Sequence, residues 1–301
     1  MSEVKKITRI PAYAKSKITD TLRSFKNKCQ SFPINLYGAY LSHKTPPQYY
    51  NNLTFADLKK RKVSDTLFIL GSGASICDIP VEDWEFMKQH NTMSFNYFIV
   101  QKYVDIDFHI IRELGAKTIS DHETYESYAK VINQNPHYEN SINIVQGGFR
   151  AFAGNSFIGK LCLRRGANVF RFKNTAKSQL SHDIKNGISH GPGTLADCIN
   201  LAYLIGFKDI VLVGVDLYDR QYFWFKDKNI YDIKNVTDTN KDGLYTEDRT
   251  SSETHRTSSG LIPFLEKWQQ ELSKKEVKLY TLNPKSLLKE ICPVYEIAKQ
   301  T

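Results

Sequence analysis

The sequence predicts an α/β fold built on a doubly wound, mostly parallel sheet. Three observations predict it. Short β-branched runs, TLFILGSG (66–73) and KDIVLVGVD (208–216) foremost, have the continuous apolar character of strands buried on both faces. These runs alternate with stretches of helical period, the pattern of βαβ units. Glycines stand at the carboxyl ends of the two strongest runs, at Gly71, Gly73 and Gly214, where the chain of a Rossmann-like nucleotide-binding sheet turns.

The elements follow in order. Residues 3–30 carry Ile7, Ile10, Ala14, Ile18, Leu22 and Phe25 at three- and four-residue steps among Lys and Arg, the pattern of an amphipathic helix interrupted by Pro11. Residues 31–55 are rich in turn formers and read as a linker. The body opens with the strand at 66–73. Val81–His90 is an expected helix, and Asn91–Phe98 and Asp105–Ile111 are the next two strands. Ile142–Gln146 is a fourth strand, Asn155–Arg165 a helix and Ala167–Phe172 a strand. The clearest unit is the helix at 191–206, closed by Gly206, feeding the strand at 208–216. Residues 219–258 are polar, charged and aromatic, and read as an active-site loop or lid. Leu261–Lys275 is a helix, 277–284 the last strand and 286–291 a short helix. The domain reading is a basic arm and linker over 1–62 and a single α/β body over 63–301, with the lid inside it at about 219–258.

Charge is placed unevenly. Residues 1–62 hold 13 Lys and Arg against three acids, a net +10, while the rest of the 301-residue chain carries −1 of the total +9. A uniformly basic fold would point to nucleic acid. A basic arm on a neutral body points instead to an anionic membrane surface, an acidic polymer, a partner protein, or a merely solvated segment. The arm helix either lies on a membrane or packs on the body. The five cysteines are widely spaced without a C-x-x-C, which predicts a reducing compartment with neither a zinc site nor a disulfide framework. No signal-peptide pattern and no apolar run of spanning length is present, so the expected location is cytoplasmic, peripheral at the inner face of the cytoplasmic membrane if the arm binds lipid.

Four constellations bear chemistry. Gly71, Ser72 and Gly73 in GSGAS either bring backbone N–H groups to a phosphate or ribose, or make a plain strand-to-helix turn; neither the G-x-G-x-x-G nor the P-loop pattern is complete. Asn96 is a candidate base or ribose contact, or the head of an Asx turn. Asp216 and Tyr218 in GVDLY end a central strand, where open α/β sheets bind ligands, and Gly193 and Thr194 open the helix feeding it; Asp216 as a structural cap is the alternative. Tyr218, Tyr222, Trp224 and His255 belong to the loop, where tyrosines can hydrogen-bond a leaving phosphate and a histidine can take a proton from a sugar hydroxyl. DTNKDG (238–243) copies half of a calcium loop but has Arg249 where a bidentate Glu is needed.

The order LFILGSGAS, SFNYF, GTLADCINLAYLIGFKDIVLVGVDLY, THRTSSGLIPFLEKW and VKLYTLNPKSLL resembles the bacterial sialyltransferases of glycosyltransferase family 42 over roughly residues 66–292. The resemblance implies a GT-A-like variant of the Rossmann sheet with a lid. It implies an inverting transfer from a CMP-sugar donor to a glycan or lipid-linked glycan acceptor, without an obligatory metal. It places Gly71, Ser72, Gly73, Asn96, Gly193 and Thr194 around the donor, where the strand-end reading also puts Asp216. Tyr218 and either Tyr222 or Trp224 fall on the phosphate-binding tyrosines, and His255 on the general base. Ser72 stands where the family has Asn, and G-P-G-T where it has T-S-G. Sialic acid is therefore one of several expected CMP-linked sugars, beside Kdo, legionaminic and pseudaminic acids. The alternatives are a metal-dependent transferase holding a divalent cation on Asp238, Asn240 and Asp242, a pyrophosphokinase-like enzyme using Asp216 and Asp238, and a non-catalytic glycan-binding protein.

Overall fold

The computed structural model describes residues 32–33, 35–112, 119–148, 151–175, 179–218, 221–233, 236–237 and 260–297. Among these lie ten strands: β1 (Asn51–Asn52), β2 (Thr66–Leu70), β3 (Asn91–Phe95), β4 (Phe108–Ile111), β5 (Ile142–Gln146), β6 (Asn168–Phe172), β7 (Asn174–Thr175), β8 (Ile188–Ser189), β9 (Asp209–Val213) and β10 (Lys278–Thr281). Eight form one sheet in the order β1-β6-β5-β4-β3-β2-β9-β10, and β7 and β8 pair separately. Every pairing is parallel.

Side chains alternate across a strand, so a strand buried on both faces feeds two cores. Leu67 and Ile69 of β2 join one core with Met93, Ile110, Ile144 and Leu212. Phe68 and Leu70 join the other with Val145, Val211 and Val213. Helices α1 (Phe55–Lys60), α5 (Thr194–Ile205) and α7 (Ile262–Ser273) cover the first face through Leu58, Leu201 and Trp268. Helices α2 (Val81–Met87), α3 (Ile119–Gln134), α4 (Phe152–Gly159) and α6 (Phe223–Lys226) cover the second through Trp84, Val131, Phe157 and Phe223. The doubly wound α/β reading therefore holds.

Three expectations change. The linker over 31–55 is part of the fold: residues 35–44 are helical, and β1 pairs with β6. Tyr50 and Leu58 are buried, so the expected boundary at residue 62 falls inside packed structure. The reason is that an edge strand pairs through its backbone, and Asn51 and Asn52 need no apolar side chain to do so. Secondly, the helix expected at Asn155–Arg165 is α4, which ends before Leu161, whose φ of +56° is incompatible with a continuing right-handed helix. Thirdly, the described start of the 219–258 segment is no lid. It enters α6, where Phe223 and Trp224 are core residues and the Phe223 N–H donates to the Ser72 carbonyl at 3.1 Å. The 3–30 helix, His255 and the 238–243 calcium-like segment lie outside the described residues.

Candidate active site

Strand order runs from β2 through β3, β4 and β5 to β6 on one side, and through β9 to β10 on the other. The carboxyl ends of β2 and β9 therefore form the topological switch point, where an open parallel sheet leaves a crevice for ligand. The loops leaving those ends are GSGAS (71–75) and GVDLY (214–218).

These loops are tied backbone to backbone. The Gly71 N–H donates to the Val213 carbonyl at 2.7 Å, and the Gly73 N–H to the Gly214 carbonyl at 2.8 Å. A Cβ on Gly73 would lie 2.3 Å from Asp216 Oδ2, so only glycine admits that carboxylate. Gly214 has φ +63°, and a Cβ there would meet Ile76 at 2.6 Å. The chain continues into a five-residue 3-10 turn, Ala74–Asp78, and not into an α-helix. Both glycine amides are thus bonded within the protein; the missing side chain of Gly73 makes room for Asp216, and that of Gly71 for the Gly214 carbonyl and Val215. Ser72, half-buried between the two glycines, stays at the crevice.

Asp216 is a clasp. Its carboxylate accepts from the Ser75 N–H at 3.0 Å, from the Ser75 hydroxyl, and from Asn283 Nδ2 at 2.8 Å. Its own carbonyl accepts from the Leu287 N–H at 3.1 Å, and Ser286 Oγ donates to the Val215 carbonyl. Of its two expected roles the structure takes the structural one. Asn283 also reaches Tyr218 Oη at 3.4 Å, which sets the tyrosine at the rim. Tyr222 bridges Gly73 in antiparallel fashion and stacks on Trp224 at 4.4 Å between centroids. Trp224 is buried under it, so Tyr222 is the ring that borders the glycine loop.

Further candidate residues come from the end of β3 and the head of α5. Asn96 follows β3 with φ +50°, a left-handed conformation that Asn tolerates better than most residues. Its Nδ2 donates to Thr194 Oγ1 at 3.3 Å, at the head of α5 after Gly193. The Asn96 Oδ1 is buried and accepts no hydrogen bond among the described residues. A buried acceptor without a donor is costly unless a ligand supplies one.

A one-way hydrogen-bond chain fixes Asn96. Its carbonyl can only accept, so Tyr128 Oη donates to it at 3.2 Å. The Tyr128 oxygen then accepts from His109 Nε2 at 2.6 Å, leaving His109 Nδ1 to accept from Ser94 Oγ at 2.8 Å. Ser94 in turn accepts from Tyr138 Oη at 3.1 Å. Burial pushes both tyrosine hydroxyls up, so they remain donors. Burial also pushes His109 down to about 3, against a weaker upward pull from Ser94. The unfolded chain takes up this proton near pH 6.5 and the native chain does not until about pH 3. Between those values acid therefore destabilises the fold, by about 1.4 kcal/mol per pH unit. Urea unfolding at pH 7 and pH 5 is expected to show this slope in the wild type and to lose it in His109→Gln; equal slopes would remove His109 as the cause.

Beside Thr194 sits a buried ion pair that sequence reasoning missed. Arg112, directly after β4, binds Asp197 in the first turn of α5. His190 Nδ1 lies 3.2 Å from the same Asp197 oxygen and touches Arg112, while Asn174 Nδ2 donates to the other oxygen at 3.1 Å. The signals were a charge at the carboxyl end of an apolar strand and one acid inside an apolar helix. Among the described residues no cluster of three or more His, Cys, Asp or Glu is arranged to hold a metal.

Ser72, Tyr218 and Tyr222 thus lie on or beside the loops that leave β2 and β9, while Asn96 after β3 meets Thr194 at the head of α5, next to Gly193. No family model matches this chain, and no curated protein does. Among solved structures it is similar to the sialyltransferase CstII from Campylobacter jejuni in complex with a substrate analogue, CMP-3FNeuAc. Identity there is 15%, with 77% of this chain and 86% of that chain covered, at a TM-score of 0.43. It is also similar to the monofunctional alpha-2,3-sialyltransferase Cst-I from the same organism, at 14% identity over 78% of this chain and 83% of that chain, with a TM-score of 0.42.

Proposed function

We propose that this chain is an inverting glycosyltransferase that moves an acidic sugar, sialic acid or a related ulosonic acid, from CMP to a glycan hydroxyl. The observation that supports the reading is the buried, orphaned Asn96 acceptor, whose amide is held on Thr194 beside the sheet's switch point, where the loop after β9 also carries Tyr218. Asn96 Oδ1 suits a donor such as a ribose hydroxyl or the cytosine amine. Tyr218 and Tyr222 supply hydrogen bonds to a phosphate as it departs, each worth about 1.5–3 kcal/mol to a charged group. In the step itself the acceptor oxygen attacks the anomeric carbon, the bond from that carbon to the phosphate oxygen breaks, and CMP leaves. The hydroxyl proton goes to His255, the role that the motif resemblance assigns to it. One displacement gives inversion.

Of the metal-dependent readings, only the pyrophosphokinase-like one calls on Asp216, whose oxygens already accept from Ser75 and Asn283. The test is a thermal-shift panel of CMP, UMP, GDP and ADP. CMP at about 100 times its dissociation constant adds roughly 2.7 kcal/mol of stability. Stabilisation by GDP or ADP with none by CMP would sink the donor assignment.

A further inference from the structure

We propose that the helix over residues 35–44 is a docking face for an anionic phospholipid bilayer. One side of this helix is fixed to the body. Gly38 lies against Phe152 and Leu41 against Gly159, at the two ends of α4, and Thr45 Oγ1 donates to the Ile158 carbonyl at 3.4 Å. Among the described residues nothing buries the other side. Leu36, Tyr37 and Tyr40 are 53%, 57% and 53% exposed. Positions i, i+1 and i+4 share one helix face, so the three form a stripe. Phe32 stands exposed just before it, and Lys44 Nζ sits 5.5 Å over the Tyr40 ring at its far end.

Charge selects the occupant. No Asp or Glu occurs between Asp20 and Asp57, and the arm that runs directly into this helix brings residues 1–62 to +10. A second copy would set that charge against its like. An anionic leaflet attracts it, at roughly 1 kcal/mol for each Lys or Arg near the surface. Tyrosine and leucine beside lysine are the residues that settle at the boundary of headgroups and acyl chains. No described helix is long and apolar enough to cross a membrane, so the contact is with the surface.

The placement also has a direction. α4 follows the carboxyl end of β5 and therefore starts at the sheet edge that holds the crevice. Residues 38 to 41 run along α4 in the same sense, since they meet its first and last residues in turn. The start of the stripe thus flanks the crevice edge. If the transfer reading holds, this brings the site to a lipid-linked acceptor; the docking itself does not depend on it.

The full chain is mixed with vesicles of phosphatidylcholine alone and of phosphatidylcholine with phosphatidylglycerol. Binding is expected only to the second, falling as salt rises. Leu36→Ser with Tyr37→Ser and Tyr40→Ser is expected to weaken that partition at least about tenfold, the scale of losing one buried Leu side chain. Melting should be unchanged, because the three positions are exposed. Equal partition of variant and wild type, or equal binding to neutral vesicles, overturns the proposal. So does a dimer in light scattering that the variant abolishes. Hydrogen exchange on the unsubstituted protein gives a second reading: anionic vesicles should slow exchange over residues 35–44, and unchanged exchange there overturns the proposal as well.

Discussion

Replacing His255 with alanine is expected to lower transfer about 10²–10⁴-fold while CMP still raises the melting temperature. A sugar hydroxyl is a poor nucleophile until its proton leaves, and a neutral imidazole near pH 7 is suited to take it. The groups proposed to meet the donor are Asn96, Thr194, Tyr218 and Tyr222, and none of them is altered by the substitution, so donor binding should survive. A rival histidine exists at the same edge. His190 is half-buried, but its Nδ1 is engaged by Asp197 and Arg112, which makes it a support of the ion pair. The two substitutions therefore separate the roles. His190→Ala is expected to act on stability through Arg112 and Asp197. Should His190→Ala abolish transfer with CMP binding intact while His255→Ala stays within about twofold of wild type, the base is His190.

The second large effect concerns Asp216. Asp216→Ala is expected to cost about 1–3 kcal/mol for each buried donor it leaves unpaired and to abolish stabilisation by CMP. Alanine leaves the Ser75 N–H, the Ser75 hydroxyl and the Asn283 amide without their shared acceptor in a buried place. Asp216→Asn keeps the shape but turns one acceptor into a donor that faces other donors, so it is expected to fall between alanine and wild type. Ser75→Ala removes one hydroxyl bond and should cost about 1 kcal/mol. Urea unfolding of the three variants with and without CMP decides the matter. A fully stable Asp216→Ala that still responds to CMP would show that the loops hold without the clasp.

Much of the sheet was legible because its central strands are apolar on both faces. Ile142–Gln146 was read to its boundaries, and the β2 and β9 runs stood out for the same reason. Asn51–Asn52 was not legible, since a two-residue edge strand leaves no period. α3 was missed because its sequence, ISDHETYESYAKVINQ, is mostly polar. In the site, Asn96 and Tyr218 could be named from strand ends alone. Thr194 could be named too, but its bond to Asn96 could not, and neither could Tyr128 or Asn283, because these partners arrive from distant segments. The sequence left the glycine loop open between a phosphate cradle and a plain turn, and it held no sign that the missing side chain of Gly73 admits the Asp216 carboxylate.

Asp216 stands after β9, between Ser75 after β2 and Asn283 after β10, so one side chain ties together the loops of three adjacent strands. For an engineer this means those loops are not modules. A graft that changes one of them must bring compatible versions of the other two, or it removes a partner from the shared carboxylate. Asn96 is tied in the same way, to Thr194 of α5 and to Tyr128 of α3, so the loop after β3 is no module either.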